Sequence, residues 1–152
     1  MHVNVLIQRE PDAEDLPLPQ YATPGSAGAD LYAAVDEPVV LQPGERRRIS
    51  TGIRIALPPG YEAQVRPRSG LADRYGLSMV NAPGTIDSDY RGVVQVILIN
   101  LGQQPITIQR GDRIAQLVIA PVARAVWQEV EQLPQTERAE GGFGSTGISP
   151  DR

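Results

Sequence analysis

Fifteen glycines and fourteen prolines break this chain along its whole length. Long amphipathic helices do not survive such interruptions, and the segments between the breaks are short and β-branched. That pattern predicts an all-β sandwich or barrel. Strands are expected over residues 3–8, 29–33, 39–41, 46–50, 52–57, 61–65, 93–100, 106–108, 113–119 and 123–127. The run V-Q-V-I-L-I at residues 94–99 is almost continuously apolar, which places it in mid-core or at a subunit interface. Only residues 69–75 read as a helix, with Ser69 as N-cap and Leu71, Ala72 and Tyr75 on one apolar side.

The expected organisation is one β domain over residues 1–133, followed by an arm over residues 134–152. A chain of 152 residues with 41% hydrophobic side chains can bury a real core. The arm is polar and glycine-rich, so it stays mobile unless a ligand or another subunit orders it. It nevertheless holds the only phenylalanine, Phe143, within R-A-E-G-G-F-G-S-T-G. No apolar run reaches membrane-spanning length, and the N-terminus lacks a secretory pattern, so a soluble, cytoplasmic protein is expected.

Absent residues narrow the chemistry. There is no cysteine and no lysine, and the single histidine is His2. Thiolate nucleophiles, Schiff bases, Lys-dependent phosphate loops and multi-His metal sites are therefore excluded or remote. An enzyme built here must use carboxylates, arginines, hydroxyls, backbone amides and a hard cation, the materials of metal-assisted phosphate chemistry. A net charge of −4 argues against nucleic-acid backbones as partners. The one basic cluster, Arg46, Arg47 and Arg48, suits a solvated edge or a subunit contact.

Five segments carry possible chemistry. In A-G-A-D-L-Y-A, Asp30 follows a glycine turn at a strand start, where it is also an ordinary turn carboxylate. In R-P-R-S-G-L-A, Arg68, the Ser69 hydroxyl and the amides of Gly70 and Leu71 open a helical turn. That is either an anion site or a capped surface helix. In N-A-P-G-T-I-D-S-D-Y-R, Asp87 stands three residues before Tyr90. A carboxylate on a rigid turn can take a proton from water, and a phenol ring can pack against a sugar or base. Taken alone, the segment favours a plain β-hairpin, because Asp-rich turns are common, and it gains weight only beside the others. In R-G-D-R-I-A-Q-L-V, alternation puts Ile114, Gln116 and Val118 on one face and Arg113, Ala115 and Leu117 on the other. Gln116 then needs hydrogen-bond partners, in a ligand or in adjacent backbone. The arm supplies glycines, Ser145 and Thr146, suited to phosphate or simply to a disordered end.

Together, in this order and spacing, the five segments resemble the five motifs of the homotrimeric dUTP pyrophosphatases, the dUTPases, from about Ala27 to Gly147. The resemblance implies a distorted jelly roll or β-barrel, with three subunits building shared sites. It also implies hydrolysis of dUTP to dUMP and pyrophosphate with Mg²⁺, limiting uracil in DNA and supplying dUMP for dTMP synthesis. By that likeness Asp87 is the general base toward the α-phosphorus, and Tyr90 lies under the deoxyribose and excludes a 2′-hydroxyl. Asn81 and the backbone of Gly84, Thr85 and Ile86 read uracil, and Gln95 adds a backbone contact to the base. Arg68, Ser69, Gly70 and Gln116 hold the phosphates. Arg138 clamps the γ-phosphate, Phe143 stacks on uracil, and Ser145 and Thr146 add phosphate contacts. Asp30 meets the metal through water. Two positions depart from the family habit: Ala139 stands where glycine is common, and Val93 where an acidic or polar residue is frequent.

Other readings share parts of this pattern. A dCTP deaminase, or its bifunctional relative, shares the fold but relies on a glutamate near the pyrimidine. A non-catalytic nucleotide-binding module would have no need of Asp87. A purely structural β-sandwich leaves the arginine-serine-glycine turn and the arm without a purpose.

Overall fold

The computed structural model describes residues 1–150, and its regular structure is almost all β. The strands are β1 (Leu6–Arg9), β2 (Gln20–Tyr21), β3 (Ala29–Tyr32), β4 (Val39–Leu41), β5 (Arg46–Ser50) and β6 (Ile53–Ala56). They continue with β7 (Tyr61–Arg66), β8 (Leu77–Met79), β9 (Gly84–Ile86), β10 (Gln95–Asn100), β11 (Ile106–Ile108) and β12 (Arg113–Pro121). One helix, α1 (Ser69–Tyr75), and a short 3-10 turn at Pro11–Ala13 complete the described elements.

The strands form jelly-roll-like sheets and do not close into a barrel. The largest sheet runs β2-β3-β12-β7-β9, a second runs β5-β10-β8, and two ribbons pair β1 with β6 and β4 with β11. All pairings are antiparallel. Inward residues of the sheets, among them Leu31, Leu41, Ile49, Val65, Val96, Leu98 and Ile114, meet in one core. The polar members of that core are paired. Asn100 donates to the carbonyls of Leu41 and Gln104 and accepts from Gly102, and the Thr51 hydroxyl donates to Val94 O at 2.7 Å.

Four features differ from the sequence expectation. The helix spans the expected residues, but its N-cap is Arg68, in extended conformation, with no side-chain cap bond. Ser69 is thus the first helical residue, and its hydroxyl is left for other work. The helix ends at Gly76, whose φ of 73° lets its N–H return to the last turn.

Residues 81–91 do not form a hairpin. Gly84–Ile86 adds to β7 at the edge of the large sheet, whereas β10 pairs with β5 and β8. The Asp87–Tyr90 turn therefore crosses between two sheets.

In β12 the register slips between Arg113 and Ala115, a bulge that turns Ile114 inward beside Ala115. Ile114 thus leaves the face that Gln116 keeps.

Residues 123–127 have no partner strand in one chain. Val126 is 96% and Trp127 90% exposed, so the β pattern there lacks a neighbour to complete it. Beyond Pro121 the described chain has no helix or strand.

Candidate active site

Two groups of side chains are built from separate parts of the sheets. The first forms on the outer face of the large sheet, where Gln116 of β12 lies opposite Asp30 of β3 and Arg66 of β7. The Asp30 carboxylate faces two guanidinium groups, Arg68 Nε at 3.4 Å and Arg113 Nη1 at 3.7 Å. Arg68 also donates to Arg113 O at 3.2 Å, and Gln116 Nε2 donates to Pro67 O at 3.1 Å. Ser69 and Gly70 are exposed at the start of α1, beside Arg68. Two cations thus face one carboxylate, and one of them, Arg68, directly precedes an exposed hydroxyl and the helix-start amides, groups suited to an anion.

Gly28 makes this packing possible. A Cβ on it would come within 3.1 Å of Gln116 Cβ and collide with the amide oxygen. The glycine in A-G-A-D therefore gives Gln116, far along the chain, its place on the neighbouring strand.

The second group lines a cleft of about 230 Å³ between edge strand β9 and strand β10. Its walls include Thr85, Ile86, Asp87, Tyr90, Val93 and Gln95, with Arg48 reaching in from β5. Asp87 is exposed, and Ile86 is 7% exposed with its side chain in the core, so only its backbone is offered to a ligand. Strand β9 pairs on one side only, so the outer edge of Gly84–Ile86 presents backbone groups as another strand would need them. Asn81 packs its amide against buried Gly84, 3.2 Å from where a Cβ would stand.

Tyr90 is held at both ends. Its N–H donates to Asp87 O at 3.2 Å, closing the turn, and its hydroxyl donates to Val93 O at 3.1 Å. The ring lies over Gly92, where a Cβ would come 2.5 Å from Tyr90 Cζ. Val93 contributes through its carbonyl, so the apolar side chain at that position costs the turn nothing.

The arm touches neither group. Arg138 Nε donates to Gly141 O at 2.7 Å, and Ser145 N to Gly142 O at 3.0 Å, so its bonds are local turns. Phe143 is fully exposed, and both Ala139 and Phe143 have positive φ, near 47° and 48°. Thr146 is likewise exposed, apart from both clusters.

One chain thus brings Asp30, Arg68, Ser69, Gly70 and Gln116 together, and separately Asn81, Gly84, Thr85, Ile86, Asp87, Tyr90 and Gln95. No residue of the first group lines the cleft of the second. Arg113, Arg48, Gly28 and Gly92 were not expected in the site. The first lay within a quoted motif, but nothing in its spacing linked it to Asp30.

No group of three or more His, Asp or Glu side chains among the described residues could cage a metal ion. Asp30, already facing two arginines, fits a contact through water to an ion that arrives with phosphate oxygens.

The class that the fold and site define is an all-β jelly roll with an exposed carboxylate turn and, apart from it, an arginine pair beside a helix start. Comparison with known proteins gives the particular family. A family profile described as dUTPase matches residues 14–147. The deoxyuridine 5′-triphosphate nucleotidohydrolase of Caldanaerobacter subterraneus subsp. tengcongensis is 57% identical over 148 residues, 97% of this chain and all of that protein. The protein of the same name from Anaeromyxobacter sp. is 63% identical over 140 residues, 92% of each chain. The solved Staphylococcus bacteriophage 80alpha dUTPase with dUpNHpp superposes with a TM-score of 0.85 at 26% identity, covering 95% of this chain and 99% of its own. This chain belongs to the dUTPase family.

Proposed function

We propose that this protein hydrolyses dUTP to dUMP and pyrophosphate, with Asp87 directing a water at the α-phosphorus. The observation that carries the reading is the cleft that joins Asp87 and Tyr90 to the free edge of β9. A pyrimidine fits against backbone groups of Gly84, Thr85 and Ile86, with Asn81 and Gln95 flanking it, as a strand fits an edge. Tyr90, fixed over Gly92, offers its ring to the deoxyribose and leaves no space for a 2′-hydroxyl. Asp87 accepts the proton of the attacking water, and pyrophosphate leaves.

Arg68, Ser69, Gly70 and Gln116 hold the phosphate chain and meet the negative charge that grows on its oxygens. Magnesium, when bound with the triphosphate, would supply further charge neutralisation, with Asp30 holding its water shell. The cleft that Asp87 shares with Tyr90 contains no glutamate, whereas Glu62 lines a second cleft that Asp87 borders, so the product assay also scores ammonia.

The separation of the two groups supports a homotrimer with shared sites. In one copy the cleft around Asp87 is lined by none of Asp30, Arg68, Arg113 or Gln116, and Ile97 and Ile99 stay half-buried on the outward face of β10. Residues 134–152 form the arm that closes a completed site, bringing Arg138 to the γ-phosphate, Phe143 to uracil, and Ser145 and Thr146 to phosphate. No helix among the described residues is long and apolar enough to cross a membrane. Work in the cytoplasm, keeping uracil out of DNA and supplying dUMP for dTMP synthesis, goes with this reading.

The test is a product assay with magnesium, offering dUTP, dTTP, dCTP and UTP in parallel and scoring pyrophosphate and ammonia separately. Pyrophosphate from dUTP alone is expected. Ammonia from dCTP would move the chain to the deaminases, and silence on all four would leave a binding module.

A further inference from the structure

The turn that carries Asp87 and Tyr90 is exposed and crosses between sheets, so something must hold it in place. Within the turn, Arg91 Nη1 donates to Ser88 O at 2.6 Å and to Tyr90 O at 3.1 Å. Those bonds shape the turn but do not attach it to the body. Among the described residues, apart from the bond of the Tyr90 hydroxyl to nearby Val93 O, one side-chain hydrogen bond ties this segment to the sheets: Arg54 Nη1 donates to Arg91 O at 2.9 Å.

Arg54 is itself held. Its Nε donates to Glu10 Oε1 at 2.5 Å, and Glu10 is fixed through its own N–H to Gly52 O at 2.8 Å. With Nε engaged, the planar guanidinium has its Nη1 aimed at the turn, which an ammonium on a flexible stem would not achieve. The path runs from the end of β1, through a side chain of β6, to the residue after Tyr90.

We infer that Arg54, oriented by Glu10, is a positioning residue that sets the turn bearing Asp87 and Tyr90 for dUTP hydrolysis. This rests on the reading of Asp87 as base and Tyr90 as sugar platform. Both side chains of the pair are partly exposed, 43% for Arg54 and 23% for Glu10, so the pair adds little to global stability. Its effect falls on geometry, where small misplacements of reacting groups are costly.

The test measures kcat and KM for dUTP, the dUTP-to-UTP turnover ratio, and the thermal midpoint for the parent and a set of variants. Arg54→Met keeps the stem and removes the donors. It is expected to lower kcat on the order of tenfold, and to lower the dUTP-to-UTP ratio, with KM and the midpoint nearly unchanged. Glu10→Gln, which keeps the acceptor oxygen, stays near the parent, whereas Glu10→Met reproduces part of the loss. Glu10→Met with Arg54→Met is no worse than Arg54→Met alone, because Glu10 acts through Arg54.

An Arg54→Met protein with parental kcat and ratio would overturn the inference, as would losses that simply add in the double variant. Should Arg54→Met fail to fold, the contrast of Glu10→Gln with Glu10→Met decides the same question. Asp87→Asn runs alongside. If it keeps parental turnover, the base assignment falls, while the substrate ratio still decides what Arg54 does for Tyr90.

Discussion

Arg68 Nε lies 3.4 Å from Asp30 Oδ1, so the cation assigned to phosphate already faces a carboxylate before any substrate is present. The carboxylate aims the guanidinium, and an arriving phosphate competes for the same fork. Arg68→Lys keeps the charge and loses the bidentate geometry. A fall in kcat/KM of about tenfold to a hundredfold is expected, the worth of one charged hydrogen bond. Asp30→Asn leaves Arg68 and Arg113 unopposed, and steady-state kinetics over a magnesium series should show a weakened response to the metal.

Gly92 gives a second prediction. Gly92→Ala places a Cβ 2.5 Å from Tyr90 Cζ, so the ring must shift or the turn must open. The dUTP-to-UTP preference is expected to fall by roughly ten- to a hundredfold, the size of a lost steric exclusion. Competition assays with both nucleotides read this directly.

Truncation after Leu133 separates folding from closure. The arm's hydrogen bonds are local, and Phe143 touches nothing in the body. The shortened protein should keep its thermal midpoint and lose at least about a hundredfold in dUTP turnover, as expected when several electrostatic contacts to the reacting phosphates vanish.

An exposed ion pair outside the two groups adds a small, solvent-screened dependence of stability on acid. Arg110 Nη2 lies 2.7 Å from Asp15 Oδ1, and this hydrogen bond holds the Asp15 carboxyl below its ordinary value of 3.8, against a smaller desolvation effect. A depressed folded value means the contribution is fully present above the unfolded value and fades as pH falls through the folded one. Asp15→Asn should therefore slightly flatten the loss of stability below about pH 3.8 while changing dUTP turnover little. Denaturant titrations at successive pH values measure it.

Much of this was legible in the sequence where the signal is local. The helix at Ser69–Tyr75 and the strands β4, β5 and β11 fall on the expected residues, because each is bounded by proline, glycine or a change of period. Partnership was not legible. The turn at Asp87 looked like a hairpin, yet β9 pairs backward with β7, a choice made by the sheet as a whole. The bulge at Ile114 and the bare strand pattern at residues 123–127 are the same kind of miss, since a period of two says nothing about which neighbour is present.

The site divides likewise. Asp87, Tyr90, Arg68 and Gln116 could be singled out by type and setting, although each also carried an ordinary structural reading. Gly28 and Gly92 did not, because their purpose is the space they leave for Gln116 and Tyr90. Arg48 lay in a basic cluster with no motif, and only the pairing of β5 with β10 carries it to the nucleoside cleft.

The most direct measurement is dUTP turnover by Asp87→Asn beside the parent, with dUTP binding measured on both. Loss of a general base without loss of the pocket is expected to lower kcat by about 10²–10⁴ while leaving affinity near the parental value. An Asn variant that hydrolyses dUTP as fast as the parent would contradict the account and remove Asp87 from the reaction.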